Sequence, residues 1–140
     1  ASSVLAIGAN LTSAGVLEEP DWNHSENVAV LRGWADANWS SDGEIDSSLL
    51  SPTPDEAAAT ADLLELMLLE PHIPAESLGT ISCPTTVMVG EYDCIRDDET
   101  VAIWRSIPRA RLSVVPECGH SIPKRRPDMV VYELLRLLED

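Results

Sequence analysis

The chain has 140 residues, of which 44% are hydrophobic and 24% are charged, which is the composition of a globular domain rather than of a disordered or fibrous segment. Its 24 acidic residues outnumber its 9 basic residues and give a formal net charge of −15 at pH 7. Because such a charge repels phosphate groups and anionic lipid, the composition argues against nucleic acid and membrane surfaces as partners.

The first predicted element is a strand over Val4–Gly8, a short apolar run without polar alternation. Such a run is typical of a parallel strand that is buried on both faces. Turn-forming residues follow as far as Pro54, interrupted by one helix that is predicted between Ser25 and Asn38, with Ser25 as its N-cap. The apolar face of this helix would carry Val28, Leu31 and Ala35.

The residues from Thr53 to Glu56 are a strong signal for the start of a second helix. Thr53 can act as the N-cap, Pro54 suits the first turn, and Glu56 completes a capping box. Pro71 is expected to end the helix, because its ring and its missing N–H do not fit a helix interior. The apolar stripe predicted for the buried face consists of Leu63, Leu64, Met67 and Leu68.

The second half of the chain alternates strands with helices. The β-branched run Thr85–Gly90 predicts a second buried strand, and a helix should follow from about Asp97 and stop before Pro108. Residues 111–115 predict a third strand, and Pro127 opens a last helix. This order predicts an α/β fold with parallel strands and right-handed crossovers. The buried helix positions are predicted to be Ile103, Ile107, Val130, Val131, Leu134, Leu135 and Leu138.

Two polar residues stand just beyond the ends of the second and third predicted strands. Asp93 follows the second strand, and His120 follows the third. Functional groups of an open parallel sheet gather at the carboxyl ends of its strands, so neighbouring strands would bring both side chains to one edge. There the carboxylate can orient the imidazole, whose other ring nitrogen can take a proton from a nucleophile. Spacing alone leaves a structural pair, or two unrelated loop residues, as alternatives.

Two longer segments resemble a known family. Residues 84–93, PTTVMVGEYD, and residues 110–120, ARLSVVPECGH, are similar to the last part of an α/β-hydrolase. The resemblance runs from Ile81 to the carboxyl terminus, and Val4–Asn10 is similar to the sixth strand of that family. It implies a partial hydrolase sheet of three parallel strands, with flanking helices and a helical cap insertion.

The resemblance also implies a division of the chain. Residues 1–10 and 72–140 would form the carboxyl-terminal half of a hydrolase core. Residues 11–71 would form a cap or lid insertion that ends in a returning helix.

The family pattern implies a role for each candidate residue. Asp93 matches the acid of the catalytic triad and His120 its general base, in a hydrolase that cleaves an ester, amide or related bond of a small molecule without a cofactor. The nucleophile motif of the family, G-x-S-x-G, does not occur in the sequence, and neither Ser13 nor Ser121 stands at an expected strand-to-helix turn. The first five strands and the oxyanion hole of the family also have no counterpart. We therefore expect the chain alone to be inactive.

A second interpretation is a non-catalytic binding or assembly module derived from a hydrolase. If Val4–Gly8 forms a strand, the edge that a fifth strand would cover lies open, and such edges pair with other chains. This predicts a homodimer, or association with a separate N-terminal half.

The three cysteines, Cys83, Cys94 and Cys118, form neither a C-x-x-C pair nor a zinc-like pattern with histidine. Their odd and sparse number favours a reducing cytoplasm, and the sequence shows neither a signal peptide nor an apolar run of about 20 residues. A catalytic thiol next to His120, or a disulfide between Cys94 and Cys118 under oxidising conditions, is the less favoured alternative. We expect neither a metal site nor a cofactor.

The remaining polar and aromatic clusters have simpler explanations. Residues 97–99 (DDE) are expected to interact with the positive end of a helix dipole, and residues 124–126 (KRR) to form a solvated turn. His24 and His72 are expected to be exposed loop residues. An apolar substrate pocket under a lid, or a loop-rich cap, would explain Trp22, Trp34 and Trp39 equally well.

Overall fold

The computed structural model describes residues 2–17, 25–36 and 53–139. Several predicted features lie outside the described residues, namely Trp22, His24, the side chain of Trp34, Asn38 and Trp39. The chain divides into two compact units by its internal contacts. The sheet unit comprises Ala1–Leu17 and His72–Asp140, and the helical unit comprises Glu18–Pro71. The assignment of residues 11–71 to a cap stays a prediction.

The sheet unit has an α/β fold, as the sequence predicted. Its three strands are parallel and lie in the order β1-β2-β3. The elements in chain order are β1 (Val4–Ile7), α1 (Ser25–Ala35), α2 (Pro54–Leu69), β2 (Thr85–Gly90), α3 (Asp97–Ser106), β3 (Ala110–Val115), α4 (Ile122–Arg125) and α5 (Pro127–Glu139). Among the described residues, none of these helices combines the length and the apolarity that crossing a bilayer requires.

The core of the sheet unit is built around β2, whose six residues are all buried. Because successive side chains of a strand point to opposite faces, Val87 and Met88 pack into two different clusters. One cluster comprises Leu11, Val87, Ile103 and Ile107, and the other comprises Met88, Val115, Cys118 and Ile122. The predicted burial of Ile103 and Ile107 is therefore confirmed.

The prediction that β1 is buried on both faces is wrong, because its four residues are only half-buried. β1 pairs with β2 from Val4 opposite Thr85 to Ile7 opposite Met88. Its other edge pairs with no strand among the described residues. A strand at the edge of a sheet lacks neighbours on one side, so its side chains keep contact with solvent.

The buried face of α5 also differs from the prediction. Glu133 and Leu137 are buried, and Met129 and Val130 are partly buried against the cluster that contains Met88 and Val115. The predicted positions Val131, Leu134, Leu135 and Leu138 are exposed, by 44–79%. Apolar residues occupy more than one side of this helix, so the stripe by itself does not identify the side that faces the sheet. A polar contact from the Thr86 hydroxyl to the Glu133 carboxylate, at 3.5 Å, lies on the buried side.

The helical unit consists of α1 packed against α2. Thr53 caps α2 and forms the predicted capping box with Glu56. Leu63, however, is exposed rather than buried. The α2 residues that contact α1 recur at helical spacing, and they include alanines in addition to the larger residues of the predicted stripe. Such small side chains allow the two helices to approach closely. The cluster between the helices comprises Leu31, Ala57, Ala61 and Leu64, with Val28, Ala35 and Met67 at its margin.

Candidate functional site

The Asp93 carboxylate lies in the loop between β2 and α3 and is almost fully enclosed, with its side chain 1% exposed. The backbone N–H of Gly90 donates to its Oδ2 atom at 3.3 Å, and the N–H of Ile95 donates to its Oδ1 atom at 3.1 Å. A buried carboxylate needs such donors to offset its lost hydration. These contacts hold the carboxylate in one orientation.

His120 lies beyond the end of β3 and contacts Asp93 directly. The distance from His120 Nδ1 to Asp93 Oδ1 is 2.9 Å, and the histidine side chain is 53% exposed. Because an ionised carboxylate can only accept hydrogen bonds, this contact requires a proton on Nδ1. In the neutral ring, Nε2 then carries a lone pair and can accept a proton. The two predicted residues therefore meet at one edge of the sheet.

Hydrogen bonds between the two loops hold this pair in place. The N–H of Glu91 donates to the carbonyl of Val115 at 2.9 Å, and the N–H of Tyr92 donates to the carbonyl of Cys118 at 3.0 Å. The Glu91 carboxylate accepts a third bond, at 2.7 Å, from the N–H of Glu117, whose φ of 54° is in the left-handed region. These contacts continue the parallel pairing of β2 with β3 beyond the strand ends. They set the distance between the backbones that carry Asp93 and His120.

Gly8 is a third residue of the site, and no sequence pattern predicted it. It follows β1 directly and has a φ of +54°. A Cβ atom at this position would lie 2.7 Å from Cε1 and 2.8 Å from Nδ1 of His120. The only signal in the sequence was a glycine immediately after the first strand. That signal could not predict its proximity to His120, because the proximity arises from the pairing of β1 with β2. The carboxyl ends of all three strands therefore contribute to the site.

An open cleft of about 600 Å³ adjoins Asp93, and Leu17, Glu91, Ile95 and Arg96 are among the residues that line it. The Arg96 guanidinium hydrogen-bonds Asp98 at 3.1 Å and lowers the pKa of that carboxyl. A smaller cavity of about 240 Å³ lies on the His120 side. Both cavities have mixed polar and apolar linings, so their shape alone does not identify a substrate class.

Glu99 has a contact that its position at the start of α3 did not indicate. Its Oε1 atom accepts hydrogen bonds from the N–H of Leu11 at 2.6 Å and from the N–H of Thr12 at 2.7 Å. The Thr12 hydroxyl lies 3.2 Å from the same oxygen. Helix-dipole electrostatics therefore explains only part of the role of Glu99, which also holds the segment after β1.

The other candidate residues from the sequence, namely the cysteines, the basic cluster and two serines, do not add a nucleophile elbow to the site. Cys94 is half-buried next to Asp93, and Cys118 is buried in the core. His72 is exposed, as predicted. Arg126 pairs with Asp128 at 2.9 Å, whereas Lys124 and Arg125 are exposed. Ser13 lies in a short 3₁₀ turn and Ser121 immediately precedes α4, and neither residue directly follows the end of a strand, where a nucleophile elbow would place it.

The sequence matches no described protein family and no curated protein. Solved structures, in contrast, match almost all of the chain. An esterase from Thermogutta terrifontis is 21% identical with a TM-score of 0.57, and the alignment covers 99% of this chain and 56% of that one. The esterase RhEst1 from Rhodococcus sp. ECU1013 is 15% identical with a TM-score of 0.60, and the alignment covers 99% and 56% of the two chains.

MenH from S. aureus is 16% identical with a TM-score of 0.55, and the alignment covers 99% of this chain and 59% of that one. The chain thus spans a little over half the length of these neighbours. At such identities the likeness establishes the fold. The parallel sheet, its flanking helices and these matches together show that the chain has a partial α/β-hydrolase fold.

Proposed function

We propose that this chain is the carboxyl-terminal portion of an α/β-hydrolase that cleaves an ester, amide or related bond of a small molecule. In this proposal the chain supplies the acid, Asp93, and the histidine, His120, of a catalytic triad. The observation that carries the proposal is the 2.9 Å contact between an enclosed carboxylate and an exposed imidazole at the carboxyl edge of a parallel sheet.

The geometry suits proton transfer at Nε2 of His120. Asp93 accepts from Nδ1 and so favours the tautomer in which Nε2 is unprotonated. His120 would take the proton of a nucleophilic hydroxyl as that oxygen attacks the substrate carbonyl, and would then give the proton to the leaving group. Asp93 would stabilise the imidazolium formed between these two steps.

The nucleophile must come from outside these 140 residues, since G-x-S-x-G is absent from the sequence. An acid–histidine pair without a nucleophile or oxyanion donors has nothing to activate and no developing charge to stabilise. We therefore propose that a nucleophile-bearing N-terminal half completes the site. The structural neighbours, which are almost twice as long as the aligned region, support this expectation.

Two adjoining surfaces of the sheet unit suit such a half. The outer edge of β1 pairs with no strand among the described residues, and Met129 and Val130 of α5 pack on the same core cluster as Leu5 and Ile7 of β1. The opposite side of α5 exposes an apolar stripe, which we call the α5 stripe, at the i, i+3, i+4, i+7 spacing of one helix face. It consists of Val131, Leu134, Leu135 and Leu138. A contiguous apolar face of this kind marks a contact surface.

The alternative is a non-catalytic binding or assembly module, and the missing nucleophile motif is the observation that favours it. A second copy of this chain could then cover the α5 stripe and the β1 edge. The two proposals differ in what they predict for turnover and for the partner.

A turnover assay distinguishes the hydrolase proposal from the non-catalytic module. We expect no hydrolysis of p-nitrophenyl acetate above the buffer rate by the pure chain, and no labelling by a serine-reactive fluorophosphonate. A longer chain that carries G-x-S-x-G upstream should show both. In that chain, His120→Ala should abolish turnover, whereas His72→Ala, at an exposed histidine of the same unit, should not.

Hydrolysis by the pure chain that is lost in His120→Ala would contradict the claim that it is inactive alone. A folded longer chain that turns over no ester, thioester or amide substrate would support the non-catalytic module.

The α5 stripe can be tested with a matched pair of substitutions. Val131→Lys places a charge in the stripe, and Val101→Lys makes the same change at another exposed helix position; the two valines are 54% and 43% exposed. We expect Val131→Lys to weaken association with the N-terminal half at least about tenfold, because the charge would have to be desolvated. Val101→Lys should leave association unchanged. Calorimetric titration of separately expressed halves measures both affinities.

Equal affinities for the two variants would exclude the α5 stripe from the interface. Loss of self-association by Val131→Lys in sedimentation, with no effect on binding of the N-terminal half, would instead identify the stripe as a homodimer surface.

A further inference from the structure

Three potential metal ligands converge at the edge of the sheet. The ligand atoms of Asp93, Cys94 and His120 all lie within 4.8 Å of one another, and the carboxylate and imidazole atoms are only 2.9 Å apart. We propose that these residues bind a divalent transition-metal cation of the zinc class. The sequence predicted no metal site, because its three cysteines form no zinc-like pattern with histidine.

The ligand types determine which cation fits. Zn²⁺ binds thiolate sulfur at about 2.3 Å, and imidazole nitrogen and carboxylate oxygen at about 2.0–2.2 Å, in a tetrahedral arrangement. Three ligands of these types leave a fourth position for water. One thiolate and one imidazole favour Zn²⁺ or Co²⁺ over Mg²⁺ and Ca²⁺, which prefer oxygen ligands. The half-exposed side chain of His120 can move to adjust its distance to the cation.

The backbone around the site is already held in place. Two N–H groups orient the Asp93 carboxylate, as described above, and the N–H of Leu17 donates to the carbonyl of Cys94 at 2.7 Å. Ile95 forms an antiparallel bridge with Val16. Such outer contacts orient metal ligands and strengthen binding.

The surrounding charge also favours a cation. Glu91, Asp97 and Asp98 line the adjoining cleft, in which Arg96 is paired with Asp98. The chain as a whole carries a formal net charge of −15. An acidic cleft raises the local concentration of cations and their rate of binding.

Metal binding and general-base chemistry would use the same histidine in incompatible ways. A metal on Nδ1 takes the place of the proton that Asp93 accepts, and the ring proton then lies on Nε2. Cys94 binds as the thiolate, and its proton passes to solvent. With Nε2 protonated, the neutral ring can no longer accept a proton from a nucleophile. The cation would therefore inhibit the completed hydrolase, by which we mean this chain together with a nucleophile-bearing N-terminal half. This inhibition rests on the proposed function, whereas metal binding itself does not.

Binding can be measured on the chain alone with Co²⁺ as a spectroscopic probe and with Zn²⁺ by calorimetry. We expect a sulfur-to-cobalt charge-transfer band in the near ultraviolet that is lost in Cys94→Ser and retained in Cys83→Ser, which changes the other half-buried cysteine. His120→Ala should weaken Zn²⁺ binding at least about tenfold, and His72→Ala should not. Zn²⁺ should also protect Cys94, but not Cys83, from alkylation mapped by mass spectrometry.

Equal Zn²⁺ affinity in the wild-type chain and in Cys94→Ser would overturn the proposed site, as would a charge-transfer band that depends on Cys83. In the completed hydrolase, Zn²⁺ should inhibit the wild type and not Cys94→Ser, each relative to its own metal-free rate. If the chain binds the metal but the completed hydrolase shows no turnover, the metal site is supported and the hydrolase proposal is contradicted. Turnover without metal binding gives the reverse result.

Discussion

Replacing Asp93 with Asn in the completed hydrolase is expected to lower kcat by about 10⁴-fold, because an amide NH₂ against Nδ1 would hold His120 in the wrong tautomer and a neutral amide in either orientation would stabilise the imidazolium less. The carboxylate accepts from Nδ1 and leaves Nε2 free to take a proton. An amide NH₂ placed against Nδ1 would donate instead, and the ring proton would then lie on Nε2. The substitution keeps the size of the side chain and removes its charge.

The enclosure of Asp93 makes the amide unfavourable in either orientation. The Gly90 N–H faces Oδ2, and the Ile95 N–H faces Oδ1 together with His120. An NH₂ group on either side would therefore oppose a backbone donor. Leaving a buried donor unsatisfied costs about 1–3 kcal/mol, so we also expect a lower free energy of unfolding.

The tautomer can be observed without a partner. In the isolated chain, imidazole ¹⁵N shifts should show the proton of neutral His120 on Nδ1, and on Nε2 in Asp93→Asn. Glu76→Gln makes the same carboxylate-to-amide change at an exposed position and should leave both the shifts and kcat unchanged. An Nε2 proton in the wild-type chain, or identical shifts in wild type and Asp93→Asn, would contradict an orienting role for Asp93.

Gly8→Ala is expected to lower kcat of the completed hydrolase by about 100-fold, because it would displace His120. The added Cβ would lie 2.7 Å from Cε1 of the imidazole, well inside van der Waals contact. The half-exposed ring can move outward, and this movement would break its hydrogen bond to Asp93. A misplacement of about 1 Å in a catalytic group can cost a factor of about 100 in rate. The left-handed φ of +54° should cost the alanine a further 1–2 kcal/mol or so of folding free energy.

Gly79→Ala provides the matched control, since a Cβ at Gly79 would meet no atom within 4 Å. Imidazole ¹⁵N shifts of the isolated chain and ester turnover of the completed one report the position of His120, and thermal unfolding reports the backbone cost. If Gly8→Ala lowers stability but leaves the His120 shifts and kcat unchanged, Gly8 serves the fold alone.

Local sequence signals predicted the elements well because their physical causes lie within a few residues. Thr53 and Glu56 are three positions apart and satisfy each other's backbone groups within one helical turn. The run Thr85–Gly90 reads as a buried strand because its residues suit an extended backbone covered on both faces. The surface that a helix buries was harder to predict. Leu63 and Leu135 belong to apolar stripes, yet both are exposed. Burial depends on what packs against a helix as well as on its own periodicity.

Local sequence patterns are enough to place Asp93 and His120 each after a strand, and the resemblance to a hydrolase pattern predicted that they would meet. The folded chain shows in addition that Gly8 lies against His120, that the Cys94 thiol is close to both side chains, and that Glu99 holds the segment after β1. Parallel pairing aligns the carboxyl ends of strands that are far apart in the chain, whereas sequence periodicity reports only on neighbours along one element. The residues around His120 are therefore a property of the sheet, in which β1, β2 and β3 end side by side.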